Sequence, residues 1–216
     1  MENNIIVFDM GGVIIDSIEL THLLTKEKYP GSTREESQNL FKGNFYQQLE
    51  LLVKKYGTLH SRENRRLLIK YAVKKVEEAE LFDGISELLK TLQTSGYTLS
   101  INSSAKAEDN TSILKRLEVF DLFDSVLSKE DSASKVEKFK MIAKKYDIEP
   151  SQLLFITDSV RDLEEAQELS INTIVVTYGI HPKEYFLESK CSNIVSTADS
   201  VGELESAIKE YFKDIK

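Results

Sequence analysis

Short apolar runs alternate with amphipathic stretches along most of this chain of 216 residues. Ile5-Ile6-Val7-Phe8 is an unbroken run of large apolar side chains, the pattern of a parallel strand buried on both faces. Leu153-Leu154-Phe155-Ile156 and Thr173-Ile174-Val175-Val176 repeat it, Tyr97–Ile101 and Ser125–Leu127 read as further strands, and Ile194-Val195 as a weak one. Between them, helical spacing of apolar positions predicts helices over Ile85–Thr94, Asp109–Leu117, Val136–Tyr146, Leu163–Leu169 and Val201–Phe212. Strands alternating with helices in this way predict an α/β fold with a doubly wound parallel sheet.

Residues 17 to about 81 break that rhythm and contain no convincing strand. Ile18–Lys28 reads as one helix, and Ser32 or Thr33, with Glu35 and Glu36 behind it, starts a second. Tyr46, Leu49, Leu52, Val53 and Tyr56 give a third, and Leu67, Leu68, Tyr71, Val73 and Val76, after Ser61, a fourth. The expected organisation is therefore a Rossmann-like core of residues 1–16 and 82–216 with an all-helical block, 17–81, inserted after the first strand. Ligands of such sheets meet the carboxyl ends of the strands, where strand order reverses, so the block is placed to act as a lid.

Composition narrows the partners. A formal charge of −8, from 28 basic and 36 acidic residues, disfavours nucleic acid or an anionic membrane as a general partner. It leaves room for a local basic pocket that takes one small phosphate. The single cysteine, Cys191, excludes an internal disulfide and a cysteine-based zinc cluster, fits a reducing, cytoplasmic setting, and reads as a bystander. No apolar run approaches membrane-spanning length, and the polar Met1-Glu2-Asn3-Asn4 is not expected to be a signal peptide. Nucleotide-binding glycine motifs and a Gly-x-Ser-x-Gly elbow are missing.

The polar residues at the predicted strand ends converge. Asp9 follows the first strand and is followed at once by Gly11 and Gly12, which permit a sharp turn. Ser103, Lys135 and the pair Asp158 and Asp162 fall at the same edge. Two carboxylates from separate strands suit a magnesium ion, and a hydroxyl and an ammonium suit the oxygens of a phosphoryl group. Asp9 would then be a nucleophile that forms an aspartyl-phosphate. Taken singly, each has a plainer reading: Ser103 as a strand-end cap, Asp162 as a first-turn helix residue, Lys135 as one lysine among Lys129, Lys138 and Lys140, all expected in solvent. What the plain readings leave unexplained is their joint arrival at the right strand ends.

These residues resemble the motifs of the haloacid dehalogenase-like hydrolase superfamily, over nearly the whole chain. Phe8-Asp9-Met10-Gly11-Gly12-Val13 is similar to the first motif and makes Asp9 the nucleophile. Ile101-Asn102-Ser103-Ser104 resembles the second, Ser134-Lys135 the third, and Thr157-Asp158-Ser159-Val160-Arg161-Asp162 the fourth. The resemblance implies a magnesium ion on Asp9, Asp158 and the Gly11 carbonyl, supported by Asp162. It implies a phosphate held by Ser103 and Lys135, Ser104 beside the substrate, and a small phosphorylated metabolite as that substrate. Phe41-Lys42-Gly43-Asn44 resembles the family's substrate-contacting cap loop, making Lys42 and Asn44 candidates for specificity.

One departure stands out. Family phosphatases usually carry an acid/base aspartate two residues after the nucleophile, and this chain has Gly11 there. General acid catalysis is worth about 10²–10⁴-fold, so poor leaving groups should suffer most. Asp16 and His22 are the nearby candidates to replace it. Gly11 with an intact Asp158/Asp162 pair argues against dehalogenase chemistry, and the missing aspartate against a sugar phosphomutase. Lys42 is weak support for a Schiff-base phosphonate hydrolase. The alternative outside enzymology is a degenerate scaffold that binds a phosphometabolite or a protein partner.

Overall fold

The structure, a computed structural model, describes residues 4–42, 45–58 and 61–214. In chain order, β1 (Ile5–Phe8) and β2 (Ile15–Asp16) precede the helices α1 (Ile18–Lys28), α2 (Arg34–Asn39), α3 (Phe45–Tyr56) and α4 (Ser61–Glu78). Then come β3 (Glu80–Leu81), α5 (Ile85–Thr94), β4 (Thr98–Asn102), α6 (Ala107–Arg116), β5 (Ser125–Leu127) and α7 (Lys135–Tyr146). The chain ends with β6 (Leu154–Thr157), α8 (Val160–Gln167), β7 (Asn172–Val176), α9 (Lys183–Glu188), β8 (Ile194–Ala198) and α10 (Val201–Asp214).

Six of the strands form one parallel sheet in the order β5-β4-β1-β6-β7-β8. Successive connections run one way from β1 and the other way from β6, so strand order reverses between them. The residues of β1 are fully buried, and the strand's pleat divides them between two layers. Ile6 and Phe8 pack with Leu99, Ile101, Leu154 and Ile156 in the cluster that takes in α5, α6 and α10. Ile5 and Val7 pack with Phe155 under Phe139 and Ile142 of α7 and Ala166 of α8. The sheet is thus covered on both faces, which is why its central strands are apolar at every position rather than at alternate ones.

Register then fixes the site. Phe8 lies opposite Ile101 of β4 and Ile156 of β6, so the residues that follow these three leave the sheet at one level. Asp9, Asn102-Ser103 and Thr157-Asp158 are those residues.

The helical segment leaves and re-enters through a two-stranded antiparallel ribbon, β2 with β3, pairing Ile15 with Leu81 and Asp16 with Glu80. Two-residue strands carry no readable periodicity, so this ribbon, and α9, were invisible in the hydrophobic pattern. Within the insertion Tyr29, Leu40 and Leu52 form a small core of their own, joined by Phe41, Leu49, Val53 and Tyr56. Thr33 caps α2 in a reciprocal capping box with Glu36, whose carboxylate also takes the Tyr56 hydroxyl at 2.8 Å and the Lys55 ammonium at 2.7 Å. Among the described residues, no helix is long and apolar enough to cross a membrane.

Arg116 at the end of α6 donates from Nε to the Val76 carbonyl at 2.9 Å and from its guanidinium to the Ala79 carbonyl. It satisfies carbonyls at the C-terminal end of α4 that have no partner within the helix and ties that end to the core. Arg116→Met is expected to cost about 1.5 kcal/mol in denaturant unfolding, the lower end of the range for charge-assisted bonds, as suits a partly exposed site.

Candidate active site

Asp9 Oδ1 lies 2.8 Å from Lys135 Nζ, and the same ammonium lies 2.6 Å from Asp162 Oδ2. Lys135 is 2% exposed, so this cation sits between two carboxylates with almost no water. Local structure places each group. Lys135 opens α7 behind the N-cap Ser134, and Asn102 at the end of β4 donates from Nδ2 to the Lys135 carbonyl at 3.0 Å. Asp162 stands in the first turn of α8, its N–H held by the N-cap hydroxyl of Ser159 at 3.2 Å. Met10 N–H donates to Asp9 Oδ1 at 2.8 Å, orienting the carboxylate at the strand end.

Asp158 completes a set of three acids. It is 3% exposed, and its Oδ2 accepts the Ile180 N–H at 2.7 Å. Two glycines make room for it. Gly12 has φ +78°, and a Cβ there would run into the Asp158 carboxylate; a Cβ at Gly179 would strike Asp158 as well. Gly12 is fixed by a tight loop in which its N–H donates to the Ile15 carbonyl at 2.9 Å.

Burial governs the charges. It pushes Asp9 up to about 6, with Lys135 opposing and Asp162 adding to the rise. Burial and the nearby Asp9 charge raise Asp158 well above the carboxylate range, and the Ile180 N–H only partly offsets them. Asp162 is lowered on balance: burial works against its charge, but Lys135, Asp9 and Ser159 hold it ionised. Lys135 is likewise raised on balance by its two carboxylate partners despite burial. Lys135 pairs with Asp9 and Asp162, and among the described residues no ammonium pairs with Asp158, so ionising Asp158 beside Asp9 calls for a further cation.

That requirement fits a divalent cation. Among the described residues no group of three or more His, Cys, Asp and Glu side chains is arranged as a metal cage. Asp9, Asp158 and the Gly11 carbonyl would instead offer two carboxylates and a backbone oxygen. Such a partial oxygen set suits magnesium, which keeps several waters.

These acids, with Gly11, Ser103, Ser104 and Lys135, line a cavity of about 540 Å³. The Ser103 hydroxyl donates to Asn110 Oδ1 at 3.3 Å and accepts the Ala105 N–H at 3.1 Å. Lys138, expected in solvent, is instead fully buried and donates to the Ser103 carbonyl. It lies one helical turn after Lys135 on the same face of α7, and burial lowers it to about 8.

Lys42 does not reach this cavity. Its ammonium pairs with Glu188 at 2.7 Å and lies 4.4 Å from the centre of the Tyr185 ring, in the seam between insertion and core. Asn44 lies outside the described residues. Neither proposed stand-in for the missing acid lines the cavity: the Asp16 carboxylate accepts the Ile18 N–H at 3.2 Å, and His22 Nδ1 is buried without a partner. Lys75 of α4 does line it, and burial lowers its ammonium from the ordinary lysine value while Asp9, Asp109 and Asp158 oppose that shift.

The seam has a second fixed point that the sequence did not reveal. His181, fully buried, accepts the Val160 N–H on Nδ1 at 2.9 Å, so Nε2 carries the proton and donates to the Gln38 carbonyl at 2.9 Å. Burial lowers the ring to about 4 and keeps it neutral. One side chain thereby joins the start of α8 to the end of α2. The available signal was Gly179, two residues before it, at a strand end beside the reversal point.

The family model of the haloacid dehalogenase-like hydrolases matches residues 6–176. The chain belongs to this family. It is 25% identical over 105 residues to a phosphoglycolate phosphatase of Synechococcus elongatus, covering 49% of this chain and 50% of that protein. It is 26% identical over 131 residues to the tyrosine-protein kinase PtkA of Mycobacterium tuberculosis, covering 59% and 45%. The chain spans about half the length of the curated relatives it matches. Among solved structures, a haloacid dehalogenase-like protein of unknown function from Agrobacterium tumefaciens superposes with TM-score 0.78 at 18% identity, covering 97% of this chain and 99% of that one. That likeness speaks to the fold.

Two outcomes are expected. Gly12→Ala should lose more than about 2 kcal/mol in denaturant unfolding, from a strained φ together with displacement of Asp158. The second concerns pH. Asp9 and Asp158 bind their protons more tightly folded than unfolded, so their own contribution to metal-free stability falls as pH rises from the ordinary carboxylate value of 3.8 through about 6, while His181, held neutral, contributes the opposite slope. Magnesium should therefore raise Tm more at about pH 7.5 than at about pH 5. Asp158→Asn should raise metal-free Tm at the higher pH and remove the magnesium gain.

Proposed function

We propose that the chain is a magnesium-dependent phosphatase of a small phosphorylated metabolite that works through an aspartyl-phosphate on Asp9. The observation that carries this reading is the Asp9–Lys135–Asp162 array beside Asp158 at the strand-order reversal. The names of the phosphoglycolate phosphatase relatives support it.

In this reading Asp9 attacks phosphorus with the oxygen not engaged by Lys135. The ammonium of Lys135 and the hydroxyl of Ser103 hold the phosphoryl oxygens, while Lys138 and Asn110 keep Ser103 in place. A magnesium ion, held by Asp9, Asp158 and the Gly11 carbonyl, would supply charge neutralisation that lets a dianionic ester approach an anionic nucleophile. Asp162 fixes Lys135 rather than touching substrate. Residues 17–81 act as the cap over a core of 1–16 and 82–216, excluding bulk water when closed. Lys42 acts in the seam and sets cap position. A cytoplasmic location accords with the single, unpaired Cys191.

Gly11 is the feature that favours a second reading, a phosphometabolite-binding scaffold without turnover. The two separate cleanly. Magnesium-dependent phosphate release from an aryl phosphate, lost by more than about 10³-fold in Asp9→Asn, is the expected result. Saturable substrate binding without release, equal in wild type and Asp9→Asn, would favour the scaffold.

A further inference from the structure

A side chain built on Gly11 would point at two polar atoms, its Cβ falling 3.0 Å from Ser17 Oγ and 3.4 Å from Lys75 Nζ. The volume that an acid at position 11 would enter is therefore already bordered by an ammonium from α4. Among the described residues the Lys75 ammonium makes no hydrogen bond or ion pair; it lies in the field of Asp9, Asp109 and Asp158. An unpaired cation in the field of a nucleophilic carboxylate is not something that packing alone calls for.

Lys75 also stands at a passage. It lines the acid-lined cavity and a second one of about 480 Å³ lying between the insertion and the core, and Ser17, Thr21 and Phe41 likewise border both. The second cavity is apolar, with Leu20, Leu24, Leu68 and Tyr71 in its wall. A phosphate ester seated with phosphorus at Asp9 and its organic group in the apolar cavity must place its bridging oxygen at this neck.

We propose that Lys75 is the general acid of the reaction, supplied by the helical insertion in place of a side chain at position 11, for monophosphate esters with an apolar organic group. This rests on the phosphatase reading above. An Asp9 oxygen bonds to phosphorus while the bond from phosphorus to the bridging oxygen breaks. The departing oxygen keeps that electron pair and takes a proton from Lys75 Nζ, leaving an alcohol and a neutral amine. Water then attacks the aspartyl-phosphate, its proton passes to the amine, and Asp9, inorganic phosphate and the ammonium are restored.

The test compares 2-phenylethyl phosphate, whose alkoxide needs a proton, with 4-nitrophenyl phosphate, whose phenolate does not. The two are similar in size and apolar character, and kcat/KM reports only the steps through departure of the leaving group. Lys75→Met should lower kcat/KM for the alkyl ester by about 10²–10⁴-fold and for the nitrophenyl ester by less than about tenfold. Lys75→Arg, which keeps the cation but does not release a proton, should show the same selective loss. Retained nitrophenyl activity certifies that each variant is folded. Equal losses on both esters, no loss on either, restoration of the alkyl ester by Lys75→Arg, or a wild type that hydrolyses only the nitrophenyl ester would each overturn the proposal. A wild type inert to both esters overturns the phosphatase reading itself.

Discussion

One ammonium between two carboxylates organises this site. Lys135, Asp9 and Asp162 are taken out of water together, and a buried charge is tolerable only when paired and hydrogen-bonded. The geometry therefore cannot relax piecemeal. Removing Lys135 would leave two carboxylates uncompensated in the interior, so the end of β1 and the starts of α7 and α8 are locked to one another by electrostatics as well as by packing. The backbone partners reinforce this: Asn102 holds the start of α7, and Ser159 holds the start of α8.

The same array explains what the site is able to bind. Asp158 enters beside Asp9 without a cation paired to it, between two glycines where any Cβ would collide with it. The protein thus sets acids whose ionisation leaves an excess of negative charge at the point where the strand order reverses, with Lys135 and Lys75 around it. In the phosphatase reading a divalent cation offsets that excess and so lets an anionic phosphoryl group approach. The insertion closes over it through His181, which bonds to α8 and α2 at once, and through the Lys42–Glu188 pair. It brings Lys75 to the gap that Gly11 leaves open.

Much of this was readable in the chain because the sheet is buried on both sides. Unbroken apolar runs located β1, β6 and β7, and the polar residue after each run was by construction at the ligand edge. The helical insertion was readable because four successive amphipathic segments lack any strand between them. What escaped had no local period. The β2–β3 ribbon is two residues per strand. A lysine in a lysine-rich helix looks solvated, which hides Lys138, although its spacing of three from Lys135 places it on the same buried face. The loop around Lys42 suggests a substrate contact, yet the partner that fixes its ammonium, Glu188, lies 146 residues away. Lys75 shares α4 with Arg65, Arg66, Lys70 and Lys74, so nothing in the segment singles it out. Its meaning comes from the absence of a side chain at Gly11, in another part of the chain.

The central claim is that Asp9 forms a covalent bond to phosphorus. The most direct measurement is to mix enzyme, magnesium and an aryl phosphate, quench with acid within the first turnovers, and map the phosphoryl adduct by mass spectrometry of the proteolytic peptides. The account predicts an adduct on the peptide bearing Asp9, discharged by hydroxylamine and missing without magnesium. Turnover with no adduct at any quench time, or an adduct on another residue, would contradict it.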